Sequence, residues 1–351
     1  MNILITGGCG FVGSNIAIAL KNNGNSVTCF DNLSRRGSEI ILQRILKHEC
    51  TFIHGDIRNP DDFLKLKEHY DILIECSAEP SVLAGSNGAD ACSLINNNLI
   101  GSIHCFEYCR MNKTAIIFLS TSRVYPYNKI ESFKYDEFET RFEIGEHNPF
   151  ISKNGLTEDF PLTGIRSLYG ATKLAAEFLL QEYSYNYNIP AIINRFGVIA
   201  GPWQLGKVDQ GVFTFWLVNH YFKKPLNYIG YGGKGKQVRD LLHIDDLIKL
   251  ILFQIKSIDK YRADIFNAGG SSFASLSLKE TTNICQQITG NKVKINPILK
   301  NRPADLIWYK TDNSKTINEF NWKPEKNGEM ILSDIYYWLQ KHEDDFKKVF
   351  K

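Results

Sequence analysis

The sequence predicts an α/β fold, a doubly wound parallel sheet with a smaller C-terminal lobe. Three observations predict it. Short apolar runs alternate with helix-period segments through the first half of the chain, the pattern of a parallel sheet with crossover helices. The first run, Asn2-Ile3-Leu4-Ile5-Thr6, leads straight into a glycine-rich turn, Gly7-Gly8-Cys9-Gly10-Phe11-Val12-Gly13. After Arg195 the composition turns to glycine, aromatic residues and lysine, as in Gly230-Tyr231-Gly232-Gly233-Lys234-Gly235-Lys236. Loop-rich segments that follow a regular sheet often build the substrate side.

The elements follow in order. The run 2–6 is the first strand, 14–22 a helix, and 27–31 a second strand ending at Asp31. Glycines let the backbone approach a pyrophosphate, and the helix behind them offers its free N–H groups and positive dipole end. Asp31 lies about 20 residues further on, where a carboxylate accepts bonds from ribose hydroxyls. Strand, turn, helix, strand and acid in this order form a dinucleotide fingerprint, so the sheet is expected to be of the Rossmann type. Gly7, Gly10, Phe11, Val12 and Asp31 are candidate cofactor contacts. A carboxylate repels a 2′-phosphate, which favours NAD over NADP. Arg35 and Arg36 follow closely and are the residues that would hold such a phosphate instead.

Further strands are expected at 51–54, 72–76, 115–120 and 191–195, with helices at 95–111 and 169–187. Gly55-Asp56 closes the third strand near an adenine edge, and Asn98, last of three consecutive asparagines, is the one expected to point at the site. Residues 1–197 are read as the NAD-binding domain, with 239–270 returning to it. Residues 198–238 and 271–351 are read as the substrate lobe, the two lobes sharing one cleft.

Composition narrows the function classes. Lys and Arg total 41 against 38 Asp and Glu, a net charge of +3, which argues against a dedicated nucleic-acid or membrane-surface protein. The eight cysteines include no C-x-x-C pair; Cys105 and Cys109 are expected in a helix core, and the pattern fits a reducing cytoplasm. No apolar run approaches the ~20 residues of a membrane span. The N-terminus reads as the first core strand, so no signal peptide is expected. The lysine-rich end, 341–351, reads as a solvated helical tail.

The chemistry begins with Tyr169 and Lys173. Four residues apart, they share one helix face. A phenol is a poor base at neutral pH, and a nearby ammonium stabilises the phenolate. The lysine can also hold a nicotinamide ribose. Upstream, Ile116-Ile117-Phe118-Leu119-Ser120-Thr121-Ser122 reads as a buried strand ending in hydroxyls, at the sheet edge where ligands sit. Thr121 is the candidate that orients a reacting substrate oxygen toward Tyr169.

Together these residues resemble the extended short-chain dehydrogenase/reductase superfamily, in its NAD-dependent nucleotide-sugar epimerase/dehydratase branch. The carrying elements are the glycine cradle, Phe30-Asp31-Asn32, Gly55-Asp56-Ile57-Arg58, Ser120–Ser122, Tyr169 with Lys173, and Arg239-Asp240-Leu241-Leu242-His243-Ile244-Asp245-Asp246. The resemblance implies tightly held NAD, transient oxidation of a sugar carbon and a homodimer. It implies cofactor contacts at Asn32, Asp56, Ile57, Ala78, Asn98, Ser120, Tyr169 and Lys173, and substrate contacts at Glu79, Ser122, Arg123, Gln210, Arg239 and Arg302. Lys236 is a neighbour of the last group, and His243 and Asp246 are expected to fix the fold. No metal is expected.

Within the branch the chain is similar to enzymes that invert C2 of a CDP-linked dideoxyhexose. The likeness runs through 5–15, 30–37, 54–59, 135–142, 209–211, 235–242 and 266–270, and through a long insert between Thr121 and Tyr169. Two departures stand out. Cys76-Ser77-Ala78-Glu79 replaces the histidine-leucine-alanine run common in the family, and Ser122-Arg123 replaces the Asp-Glu pair of the dehydratases. Without that acid and base, elimination has no evident catalyst. The expected function is epimerisation of a nucleotide-linked hexose. The alternatives are a UDP-hexose 4-epimerase, a dehydrogenase that releases NADH, and a non-catalytic NAD-binding regulator.

Overall fold

The computed structural model describes residues 1–85, 90–145, 149–205 and 211–350. The chain divides into two compact units: Met1–Thr121, Leu168–Arg195 and Ile248–Phe266 in the first; Ser122–Ser167, Phe196–Leu247 and Asn267–Lys351 in the second. The insert 122–167 therefore groups with the second unit, where the sequence-based division had kept it with the first.

The first unit is built on seven strands: β1 (Asn2–Thr6), β2 (Ser26–Asp31), β3 (Thr51–His54), β4 (Ile72–Glu75), β5 (Ala115–Thr121), β6 (Ala191–Phe196) and β7 (Arg262–Ala268). Their order is β7-β6-β5-β4-β1-β2-β3. Strand β1 runs parallel to β2 on one side and to β4 on the other, and β4 runs parallel to β5. The order reverses between β1 and β4, the switch point at whose carboxyl edge ligands bind in open α/β sheets. Strands buried on both faces read as unbroken apolar runs, and β4 and β5 are buried at every position. Their termini are the exceptions in type. Glu75 ends β4, and Ser120 and Thr121 end β5.

Six of the seven strands coincide with those expected, to within a residue at either end. The seventh, β7, was read only as part of a returning segment. Below the sheet, Phe106 meets Phe118 edge-on at 5.7 Å, and Cys105 and Cys109 are fully buried, as their helical spacing predicted. The long helix of this layer starts earlier than expected. It comprises Ala91–Ile95, a π-helical turn Asn96–Ile100, and Gly101–Asn112. A π turn inserted in an α-helix is frequent at functional sites.

The second unit has its own sheet, with Val198–Ala200, Val238–His243 and Ser275–Ser277 adjacent in that order and Trp308–Tyr309 pairing with Val238–His243. Helices Val212–Tyr221, Leu278–Thr289 and Gly328–Lys341 contribute to its core through Phe213, Trp216, Cys285, Ile331, Leu332 and Ile335. A capping box, Ser277 with Glu280, starts the second of these helices. Glu280 also accepts from Arg141 Nη2 at 2.5 Å, which ties the hairpin Tyr135–Glu137/Phe142–Ile144 to that helix. The C-terminal helix Glu343–Phe350 is not a purely solvated tail. Phe346 is buried against Trp338 and Leu339, while the exposed Lys347 pairs with Glu343 at 2.5 Å. Among the described residues no helix is long and apolar enough to cross a membrane.

Candidate active site

In the first unit, the candidate residues gather along the carboxyl edge of the sheet. The chain leaves β1 through Gly7, whose φ of 65° lies in the left-handed region, and Gly7 N–H donates to Phe30 O at 2.9 Å. A Cβ on Gly13 would stand 2.3 Å from Gly7 O, and one on Gly8 would stand 2.5 Å from Cys29 Cβ. Side chains at those positions would force the turn open. Gly10 caps the Phe11–Asn22 helix without any side-chain bond, so its first-turn N–H groups are left for a ligand. This cradle fits the pyrophosphate of a dinucleotide.

Asp31 is pinned at the end of β2. Its Oδ2 accepts from Cys9 N–H at 3.0 Å and its Oδ1 from Leu33 N–H at 2.8 Å. Burial pushes its carboxyl above the usual range, and these two backbone donors work against that. Asn32 Nδ2 donates to Asp56 Oδ2 at 2.9 Å. Arg58 lies 2.5 Å from the same carboxylate and holds it well below the usual range. Ile57 is buried, and its carbonyl accepts from His104 Nδ1 at 2.7 Å, so that nitrogen carries a proton. These side chains brace one another along the edge of β2 and β3.

Asn98 is fully buried in the π turn. Its Oδ1 accepts from Glu79 N–H at 2.8 Å and its Nδ2 donates to Glu79 O at 3.0 Å. The amide is thus a two-point clamp on the loop after β4 that carries Ala78 and Glu79. Glu79 turns its own Oε1 to Ser81 N–H at 3.2 Å.

Tyr169 and Lys173 lie on the Leu168–Tyr187 helix, both buried. Lys173 Nζ sits 3.2 Å from Glu75 Oε2 and 4.3 Å from the centre of the Phe118 ring. Thr121 closes β5, and Ser120 beside it donates to Glu177 Oε1. Glu177 in turn accepts a fork from Arg195, whose Nη2 lies 2.7 Å and Nε 3.1 Å from Oε2. Sequence reasoning missed Glu75, Glu177 and Arg195. Two signals were there to read: an acid closing an apolar strand, and an acid one turn beyond Lys173 on its helix face.

The second unit holds the remaining candidates. Ser122 and Arg123 form a short turn, and Arg123 Nη1 donates to Ala304 O at 3.2 Å. Arg239 is spent internally, on Asp305 at 2.7 Å and on the Val238 and Leu306 carbonyls. Lys236 pairs with Glu137 at 2.8 Å. Arg302 is half-buried, and among the described residues its side chain has no hydrogen-bond or ion-pair partner. Gln210 lies outside the described residues. Asp246 accepts from Glu325 and Lys326 N–H, and its carbonyl accepts from Trp322 Nε1 at 2.8 Å, so it stitches the unit together. Among the described residues no cluster of His, Cys, Asp and Glu could hold a metal ion.

Comparison with known proteins gives a consistent pattern. A family model described as the NAD dependent epimerase/dehydratase family matches residues 3–269. The chain is 30% identical to the CDP-paratose 2-epimerase of Salmonella typhi, over 96% of this chain and 99% of that one. It is 26% identical to the UDP-glucuronate 4-epimerase of Thermodesulfobacterium geofontis, over 99% and 98%. Among solved structures it resembles the UDP-glucuronic acid 4-epimerase of Bacillus cereus in complex with UDP-glucuronic acid and NAD. That match has a TM-score of 0.78 and 26% identity, over 97% of this chain and 99% of that one.

Proposed function

Because the chain belongs to the NAD-dependent epimerase/dehydratase family, we propose that it is a nucleotide-sugar epimerase inverting C2 of a CDP-linked dideoxyhexose. The observation that carries the epimerase reading is one sheet edge holding a dinucleotide cradle, Asp31 and the Tyr169/Lys173 pair. The choice of carbon and base rests on the likeness to the CDP-paratose 2-epimerase over nearly the whole of both chains. The 4-epimerases of UDP-sugars, matched over comparable lengths, give the second reading, inversion at C4 of a UDP-hexose. It uses the same catalytic residues.

The cradle of Gly7, Gly10, Phe11 and Val12 holds the NAD pyrophosphate, Asp31 its adenosine ribose, and Asn32, Asp56 and Ile57 flank the adenine. Ala78, on the loop that Asn98 clamps, and Ser120 line the nicotinamide side, and Lys173 reaches the nicotinamide ribose. NAD supplies a hydride acceptor that is regenerated within each cycle. Tyr169, as phenolate, takes the proton of the sugar hydroxyl at the carbon being inverted. Lys173 stabilises that phenolate. Thr121 orients the reacting oxygen. The keto sugar turns its other face, and Tyr169 returns the proton to the same oxygen.

Glu79, Ser122 and Arg123 contact the sugar. Arg302, whose guanidinium has no partner among the described residues, is the arginine assigned to the diphosphate, with Gln210 and Arg239 as further substrate contacts. The enzyme works in the cytoplasm, where its eight free cysteines stay reduced. It works as a homodimer: Met111 on one helix and Phe178, Tyr185 and Tyr187 on another expose apolar surface suited to a second copy.

A panel of CDP-, UDP- and dTDP-sugars, followed by NMR with absorbance at the reduced-nicotinamide band, tests this reading. Interconversion of one CDP-dideoxyhexose with its C2 epimer and no build-up of NADH is expected. Stoichiometric NADH with an oxidised sugar would make the protein a dehydrogenase. The cofactor assignment has its own test. Asp31→Ser removes charge-assisted bonds worth roughly 1.5–3 kcal/mol. NAD affinity by calorimetry should fall about ten- to hundredfold, and the preference over NADP should narrow. Unchanged NAD affinity would remove Asp31 from the ribose.

A further inference from the structure

Glu75 is the one acid on β4, and the strand otherwise consists of Ile72, Leu73 and Ile74. Its register places it opposite Thr6 of β1 and Phe118 of β5, at the carboxyl edge beside the switch point. It is fully buried. One carboxylate oxygen lies 3.2 Å from Lys173 Nζ, and the other has no hydrogen-bond partner among the described residues. Lys173 is itself buried, with its ammonium 4.3 Å above the Phe118 ring centre.

Stability alone does not account for such a pair. Two charges taken out of water rarely do better than well-packed apolar residues of the same volume. The pair has a different consequence. Tyr169 lies one turn before Lys173 on the same helix. A bare ammonium near a phenol favours the phenolate, whereas an ammonium neutralised by a carboxylate does so much less. We infer that Glu75 is a positioning residue for the proposed proton transfer: through Lys173 it sets the pH at which Tyr169 loses its proton. This rests on the reading of Tyr169 and Lys173 as the acid–base pair.

The titratable groups facing Glu75 are few. Lys173 comes from the Leu168–Tyr187 helix, Cys105 from the Gly101–Asn112 helix, and Cys76 follows it in sequence. Burial pushes both thiols far up, so neither ionises in the working range. Burial also pushes the Glu75 carboxyl up, against the pull of Lys173 and of Ser77 N–H. Among the described residues, Lys173 is thus the one charged neighbour through which Glu75 can act.

The experiment is an ultraviolet phenolate titration of the NAD-loaded enzyme, with Tyr169→Phe subtracted to isolate Tyr169, alongside the pH profile of kcat. Glu75→Gln keeps an acceptor for Lys173 and removes the charge. It should lower the Tyr169 midpoint by about one pH unit, with the acid limb of kcat following it and KM for the nucleotide sugar unchanged. Glu75→Asp keeps the charge but sets it back from the ammonium, and should give a smaller shift in the same direction. It also serves if the glutamine variant does not fold. A midpoint unmoved in a folded Glu75→Gln, or in Glu75→Asp where only that variant folds, overturns the proposal, even if melting temperature falls. Tyr169→Phe turning over at the wild-type rate would instead sink the acid–base reading beneath it, and the proposal with it.

Discussion

Tyr169→Phe is expected to lower kcat by roughly two to four orders of magnitude, the usual contribution of a placed general acid–base group. NAD should remain bound. The substitution removes one oxygen from a buried ring and leaves the glycine cradle, Asp31 and the Lys173–Glu75 pair in place. A ring lacking a hydroxyl cannot take the sugar proton, and Glu177, the other ionisable group one turn from Lys173, is held by Ser120 and Arg195. The measurement is kcat and KM together with NAD binding and melting temperature. Loss of turnover with binding and melting intact is the expected result. A fall of less than tenfold would mean that another group moves the proton, and a non-catalytic regulator would show no change in any output.

Arg195→Met is expected to cost about 3–5 kcal/mol of folding stability, the usual penalty for orphaning a buried charge. Arg195 and Glu177 are both fully buried, and the guanidinium grips Glu177 with contacts of 2.7 to 3.2 Å. Glu177 also takes the Ser120 hydroxyl at the end of β5. Removing the cation leaves a buried carboxylate with one neutral donor, Ser120, among the described residues. That is a large share of the ~5–15 kcal/mol by which a native protein is stable. The double variant Arg195→Met with Glu177→Leu should recover most of the loss, because an apolar pair of similar volume removes both desolvation costs. Urea unfolding of the three proteins decides it. A single-variant loss below about 1 kcal/mol would show that water or a shifted side chain rescues Glu177.

What was legible in the sequence is what depends on short spacing. The cradle, Asp31 and Tyr169 with Lys173 each lie within one strand–turn–helix unit or one helix face, so residue types at fixed offsets were enough to find them. The sheet strands were legible because burial on both faces leaves unbroken apolar runs. Pairings between distant segments were not legible. Glu75 meets a lysine 98 residues away, and Arg239, expected at a phosphate, closes on Asp305, 66 residues on. Asn98 was singled out from its position. Its clamp on the Glu79 backbone could not be foreseen, because it depends on a π turn that the local propensities do not encode. β7 lacks the unbroken apolar run by which the other strands were read, because Arg262, Asp264 and Asn267 interrupt it.

Inversion by transient oxidation and reduction at one carbon is tested most directly by running the reaction in D2O, with the sugar that the panel identifies. Hydride taken from that carbon and returned to it never meets solvent, so the inverted carbon of the product should carry no deuterium by NMR. One deuterium per turnover at that carbon would mean that a base removes and replaces a carbon-bound proton, and would contradict the hydride route through NAD.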